Sequence, residues 1–229
     1  MIMGYKKADF FMFLAKKLFN PEIIFENEAV QNRDLKTPCV IICNHSVRTF
    51  FNRLSIADGP MIRYVFKNAD VSSLMGADLM EKPVFKALVG GCDCIPVPRN
   101  SPSTNWIHKC KEKLDEGISV IIFPEGTTIK SNAIEAFKPG FALLAKLADA
   151  PILPVSINGI YRPFTKGKLK IRIGVPMKLQ TEKINSFTLQ EESARFQRIV
   201  EEMYLSFESR QKITTTQNIT TKQEAPYDL

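Results

Sequence analysis

Two short runs in this chain, Cys39-Val40-Ile41-Ile42-Cys43 and Val120-Ile121-Ile122-Phe123, are apolar at every position and rich in β-branched residues. A strand with one wet face alternates polar and apolar residues, whereas a strand covered on both faces does not. Both runs are bounded by turn-forming residues, and Ile152-Leu153-Pro154-Val155-Ser156-Ile157 adds a third of similar character. Helical patterns separate them. Trp106 to Gly117 carries Ile107, Cys110 and Leu114 at helical spacing with a glycine stop, and 141–148 and 193–207 read the same way. Interior strands alternating with helices predict an α/β fold: a single domain with a mixed, largely parallel central sheet flanked by helices.

The remaining segments fit around these. Residues 22–28 suggest a strand after the Asn20-Pro21 break, and 95–99 suggest a short strand leading to Arg99. Tyr64-Val65-Phe66 with Leu74-Met75-Gly76 suggest a further strand and turn, and 80–89 a helix closed by Gly90-Gly91. Asp58 followed by Pro60 marks a helix start. Lys168, Lys170 and Arg172 alternate with apolar residues and so share one strand face, which reads as solvated or, alternatively, as ligand-binding. The Thr/Gln-rich stretch 211–229 has too little apolar surface for a core and is expected to be disordered.

Size and charge narrow the function classes. At 229 residues the chain suits one domain with a substantial core. Its five cysteines, Cys39, Cys43, Cys92, Cys94 and Cys110, form an odd set and are expected to be reduced thiols. Cys92-Asp93-Cys94 lacks zinc spacing and no second pair accompanies it, so no metal is expected. A net charge of +7 favours an anionic partner. Nucleic acid is not that partner on this reading, because no recognition-helix pattern or aromatic-basic interleaving occurs.

No apolar run approaches the length of a spanning helix. Residues 1–20 instead place Phe10, Phe13, Leu14 and Leu18 at helical spacing, beside Lys6, Lys7, Lys16 and Lys17. Such a helix suits the interface of an anionic membrane, and equally the surface of a domain core.

The chemistry sits at the strand ends, where α/β proteins keep their sites. The first run delivers Asn44-His45-Ser46, and the second Pro124-Glu125-Gly126-Thr127. A histidine on a strand-end loop is placed for proton transfer rather than packing. The other histidine, His108, falls within a helical pattern and is assigned no role.

In chain order these loops are Asn44-His45-Ser46, Pro98-Arg99, Phe123-Pro124-Glu125-Gly126-Thr127 and Ile152-Leu153-Pro154-Val155. Over roughly residues 38–180 the set resembles the glycerolipid acyltransferase family, which contains 1-acylglycerol-3-phosphate acyltransferases. The resemblance implies transfer of a fatty acyl group from an acyl thioester, acyl-CoA or acyl-carrier protein, to the hydroxyl of 1-acylglycerol-3-phosphate, giving phosphatidate. No cofactor beyond that co-substrate is implied. His45 would be the general base and an aspartate its orienting partner. Arg99, Glu125, Gly126 and Thr127 would bind the acceptor's glycerol-phosphate, with Lys138 and Arg162 as further candidates for the same anion. A lysophospholipid acceptor also implies a peripheral position on a membrane surface, on the cytoplasmic face of the cell membrane. The domain would then span 21–210, between the N-terminal helix and the polar tail.

One departure stands out. The family pattern places the aspartate five positions after the histidine, and that position here is Phe50. The next aspartate, Asp58, has the expected surroundings in Asp58-Gly59-Pro60-Met61-Ile62. The expectation is an eight-residue insertion within 47–57 that bulges outward and returns Asp58 to His45, since loops absorb such lengths at small closure cost. The competing readings are a lipid-phosphate-binding homologue without turnover, and an acyltransferase for glycerol-3-phosphate or another lyso-lipid.

Overall fold

The structure, a computed structural model, describes residues 13, 16–26, 30, 35–46, 58–66, 69–81, 93–98, 104–126, 133–159, 161, 164 and 169–223, with side chains to Phe207. Seven strands form one sheet: β1 (Glu22–Phe25), β2 (Val40–Cys43), β3 (Val71–Gly76), β4 (Cys94–Val97), β5 (Ser119–Ile122), β6 (Ile152–Gly159) and β7 (Leu169–Ile173). Among the described residues five helices accompany them: α1 (Asp58–Val65), α2 (Ala77–Met80), α3 (Asn105–Asp115), α4 (Gly140–Leu147) and α5 (Ser186–Gln223). The strand order is β1-β7-β6-β2-β5-β3-β4. Strands β6, β2, β5, β3 and β4 run parallel to one another, β7 is antiparallel to β6, and β1 is parallel to β7. The expected mixed, largely parallel sheet is therefore present.

All four residues of β2 and all four of β5 are buried. Side chains alternate between faces along a strand, so each strand feeds two cores. Ile41, Cys43 and Ile121 join Met61, Ile62 and Val65 of α1 on one face. Val40, Ile42, Val120 and Ile122 join residues of α3, α4 and α5 on the other, including Ile107, Phe141 and Phe196. Each such isoleucine, lifted fully out of water, contributes roughly 1.5–3 kcal/mol before entropic costs. This two-sided burial is why the runs lack polar alternation.

The register decides where the polar loops meet. Val40 faces Val120 on one side and Ile152 on the other, so β5, β2 and β6 end together. From β2 the chain passes to the β3 side, and after β5 it crosses back to the β6 side. Strand β2 thus lies where successive connections diverge, the place where open α/β sheets form crevices.

Several expectations are corrected. Tyr64 and Val65 belong to α1 rather than a strand, because Asp58 starts that helix and its apolar residues Met61, Ile62 and Val65 recur at helical spacing. Leu74, Met75 and Gly76 lie in strand β3, not a turn. Arg172 is not on a solvated face: it is 4% exposed, paired with Glu26 at 3.1 Å and stacked under the ring of Phe207. Lys170 pairs with Glu22 beside the same ring, so α5 covers that part of the sheet edge. Helix α5 runs on from the amphipathic stretch to Gln223. Extending an existing helix fixes one residue per hydrogen bond, which lets polar residues follow a packed nucleus. Residues 82–92, including Cys92, and Lys168 lie outside the described residues.

The N-terminal stripe divides. Phe19 is 7% exposed and meets Tyr161 edge-on at 5.1 Å, whereas Phe13 is 48% exposed with Lys17 over its ring. Among the described residues no helix is long and apolar enough to cross a membrane, and no group of histidine, cysteine or carboxylate side chains has a metal-binding arrangement.

Candidate active site

Beyond Cys43 the β2 backbone leaves the sheet, and Asn44 continues the pairing with its side chain. Its Oδ1 accepts from the Ile157 N–H at 2.9 Å and its Nδ2 donates to the Ile157 carbonyl at 2.9 Å. The amide thus stands in for one more rung of the β2–β6 ladder. The next residue, His45, projects from the sheet's end with its side chain 14% exposed.

Asp58 opens α1, where the helix dipole favours negative charge. Its carboxylate is fully buried, and three groups converge on it. Oδ2 accepts from the Ser46 N–H at 2.9 Å and lies 3.1 Å from His45 Nδ1, while Oδ1 accepts from the Tyr161 hydroxyl at 2.6 Å. A buried carboxylate is costly unless so satisfied. The histidine and aspartate stand 13 positions apart in the chain, yet the dyad closes. The intervening 47–57 lie outside the described residues.

The ring is held from a second direction. Phe123, just past β5, stacks on the His45 imidazole with ring centres 4.3 Å apart and planes within 9°. With Nδ1–H directed at Asp58, the lone pair of Nε2 is left for a substrate proton.

Glu125 has a structural role that the resemblance did not imply. It is 2% exposed, its Oε1 accepts from the His45 N–H at 2.6 Å, and its Oε2 accepts from the Glu135 N–H at 2.9 Å. Both oxygens accept from backbone, which makes the side chain a brace for the histidine loop. Burial pushes its carboxyl above the ordinary value of 4.5, against the lowering effect of those two N–H donors. The following Gly126 turns the chain back with φ +69°, its N–H donating to the Phe123 carbonyl. A Cβ there would lie 2.8 Å from Lys138 Nζ, so the lysine's ammonium rests against this turn. Lys138 is tied to it through its own N–H, which donates to the Pro124 carbonyl at 2.9 Å.

The fold therefore brings together His45, Asp58, Glu125, Gly126 and Lys138. Arg99, Thr127 and Arg162 lie outside the described residues. Three contributors went unsuspected as parts of the site: Tyr161, the stacking Phe123 and the ladder-extending Asn44. Nothing local to Tyr161 signals its partner 103 positions away. Buried thiol chemistry is suppressed here, since burial first, then Asp58 and Glu125, push the Cys43 thiol well above its usual range.

A model of the Acyltransferase family matches residues 22–158. The chain belongs to this acyltransferase family. Curated relatives include a 1-acyl-sn-glycerol-3-phosphate acyltransferase of Cocos nucifera, 28% identical over 140 residues, covering 59% of this chain and 42% of the relative. A probable 1-acyl-sn-glycerol-3-phosphate acyltransferase of Mycoplasma genitalium is 31% identical over 54% of this chain and 45% of its own length. One from Pseudomonas aeruginosa is 30% identical over 70% of this chain and 62% of its own. The chain thus matches less than half the length of the first two. Among solved structures, the 1-acyl-sn-glycerophosphate acyltransferase PlsC of Thermotoga maritima aligns with a TM-score of 0.61 at 22% identity, covering 87% of this chain and 79% of that one. At that identity the likeness speaks for the fold, and it places this acyltransferase-family sheet in known company.

Proposed function

We propose that this protein transfers a fatty acyl group from an acyl thioester, acyl-CoA or acyl-carrier protein, to the free hydroxyl of 1-acylglycerol-3-phosphate, forming phosphatidate. The observation that carries the reading is the contact between His45 Nδ1 and the buried Asp58 carboxylate. Family membership and the names of the relatives support the substrate class.

The chemistry follows from the geometry. Nε2 of His45 takes the acceptor's hydroxyl proton as the oxygen attacks the thioester carbonyl. Asp58 holds the tautomer and offsets the imidazolium charge that forms. Collapse of the tetrahedral intermediate breaks the carbon–sulfur bond, and the imidazolium returns the proton to the leaving thiolate. General base catalysis of this kind is worth about 10²–10⁴-fold. Lys138 supplies positive charge beside the Gly126 turn for the acceptor's phosphate, and Arg99, Thr127 and Arg162 are proposed for the same group.

A thioester-release assay comparing lysophosphatidate with glycerol-3-phosphate tests this. Wild-type protein should release thiol with lysophosphatidate, His45→Ala should lose the activity, and Asp58→Asn should lose a large part of it. Full activity in His45→Ala would remove the mechanism.

We further propose a peripheral seat on the cytoplasmic face of the cell membrane, reached through exposed aromatics near the site. Phe164 is 89% exposed, three residues beyond Tyr161, and its N–H donates to the Leu18 carbonyl, close in the chain to exposed Phe13 and Lys17. Replacing Phe13 and Phe164 together by serine should weaken binding to anionic phospholipid vesicles in a sedimentation assay. Undiminished binding would leave those rings without a membrane role.

A further inference from the structure

We infer that Tyr161 is a positioning residue for the His45–Asp58 dyad, fixing the carboxylate where the chain itself does not. The inference rests on the proposed acyl transfer only for its kinetic readout.

Residues 47–57 separate Ser46 from Asp58, so contacts through space, not chain neighbourhood, hold the carboxylate beside His45. Oδ2 is shared between the Ser46 N–H and His45, which leaves Oδ1 as a buried acceptor that needs a donor of its own. Tyr161 supplies that donor at 2.6 Å and anchors the carboxylate from its other side.

The phenol is suited to the task. It is 2% exposed and packed edge-on against Phe19, within the same core as Met61 and Ile62 of α1. It stands two residues past β6, whose register beside β2 is further locked by Asn44. Burial and the neighbouring Asp58 charge raise its hydroxyl well above the ordinary value of 10, so it stays a donor over the whole working range. Tyr161 also lies beyond the 22–158 matched by the family model, so the family match does not itself supply this residue. A tyrosine just past the neighbouring strand thus supplies a constraint that chain connectivity lacks.

Tyr161→Phe keeps the ring and deletes the donor. In acyl transfer, kcat should fall about tenfold to hundredfold with KM for both substrates within about twofold, since a hydrogen bond to a charged group is lost without touching substrate. Carboxylate charge no longer shared with the phenol should stabilise the imidazolium, so the acidic limb of the pH–rate profile should move to higher pH.

The same shift can be read without turnover. The chain's two histidines make NMR titration of the ring protons tractable, with His108 as internal control. In Tyr161→Phe the His45 midpoint should rise by roughly half a unit or more while His108 stays put. In an Asp58→Ala background the same substitution should leave His45 unmoved, as a double-mutant cycle requires of an effect routed through Asp58. An unmoved His45 in the single variant, or an equal shift in both backgrounds, would overturn the inference. Wild-type protein that transfers no acyl group would instead overturn the proposed activity, with the titrations still deciding the role of Tyr161.

Discussion

Glu125 shows how one side chain can brace a site through backbone contacts. Its two oxygens clip the His45 loop to the segment at Glu135, and the carboxylate is desolvated in doing so. Glutamine in its place presents an N–H₂ to one of those two N–H donors, leaving an amide unpaired at a cost of about 1–3 kcal/mol. Glu125→Gln should therefore lose most acyl transfer while folding. The pH dependence has a definite sign. Burial raises this carboxyl, so the folded state prefers it protonated; the associated stability is present below pH 4.5 and lost as pH climbs through the raised value. The wild type should consequently lose stability over the pH range just above 4.5, and the stability gap between it and Glu125→Gln should narrow there. Urea denaturation at a series of pH values checks this; a constant gap would contradict the account. Of this residue the sequence showed the motif but not the role, because a carboxylate's partners depend on which backbone amides the fold turns toward it.

Among the elements, strands β2, β5 and β6 carry the function because they end together. The pairing of β2 with β6 outlasts its backbone ladder through Asn44, which both donates to and accepts from Ile157. Asn44→Ala strips that rung and leaves a buried N–H and carbonyl of Ile157 without partners. The expected cost is on the order of 2–4 kcal/mol in urea denaturation, with a matching fall in activity as His45 loosens. Stability within about 0.5 kcal/mol of wild type would show that the rung is dispensable. The strands themselves were legible from their unbroken apolar runs, and α1 from Asp58 with Pro60. The segment 64–66 misled because three consecutive β-prone residues, Tyr64-Val65-Phe66, form the end of a helix whose apolar face is set by Met61, Ile62 and Val65 packing on the sheet. Tertiary contact overrode local propensity.

For the molecule as a whole, the two cores hold thiols that must stay neutral. Burial pushes Cys110 to about 12 and Cys39 to about 11, the latter opposed by its hydrogen bond with Ser119. Each raised group contributes stability that is complete below its unfolded value near 9 and is lost as pH rises through the folded one. At about 1.4 kcal/mol per unit, these two thiols alone should lower the unfolding free energy by several kcal/mol between pH 9 and 12. The denaturation midpoint should drop steeply over that interval, and less steeply in Cys39→Ala combined with Cys110→Ala. Equal slopes would show that other groups govern alkaline unfolding. At pH 8 the same thiols should react with a maleimide only as fast as the protein opens.

By itself the sequence determined the layered α/β plan, since only strands covered on both faces can be apolar at every position. It also marked the loops that hold the chemistry, because glycine, histidine and carboxylate residues at strand ends cannot be explained by packing. It could not determine which groups touch. The closure of Asp58 on His45, the inward turn of Glu125 and the grip of Tyr161 depend on strand order and register. Those join residues up to 103 positions apart, and no local pattern in a chain encodes such a distance.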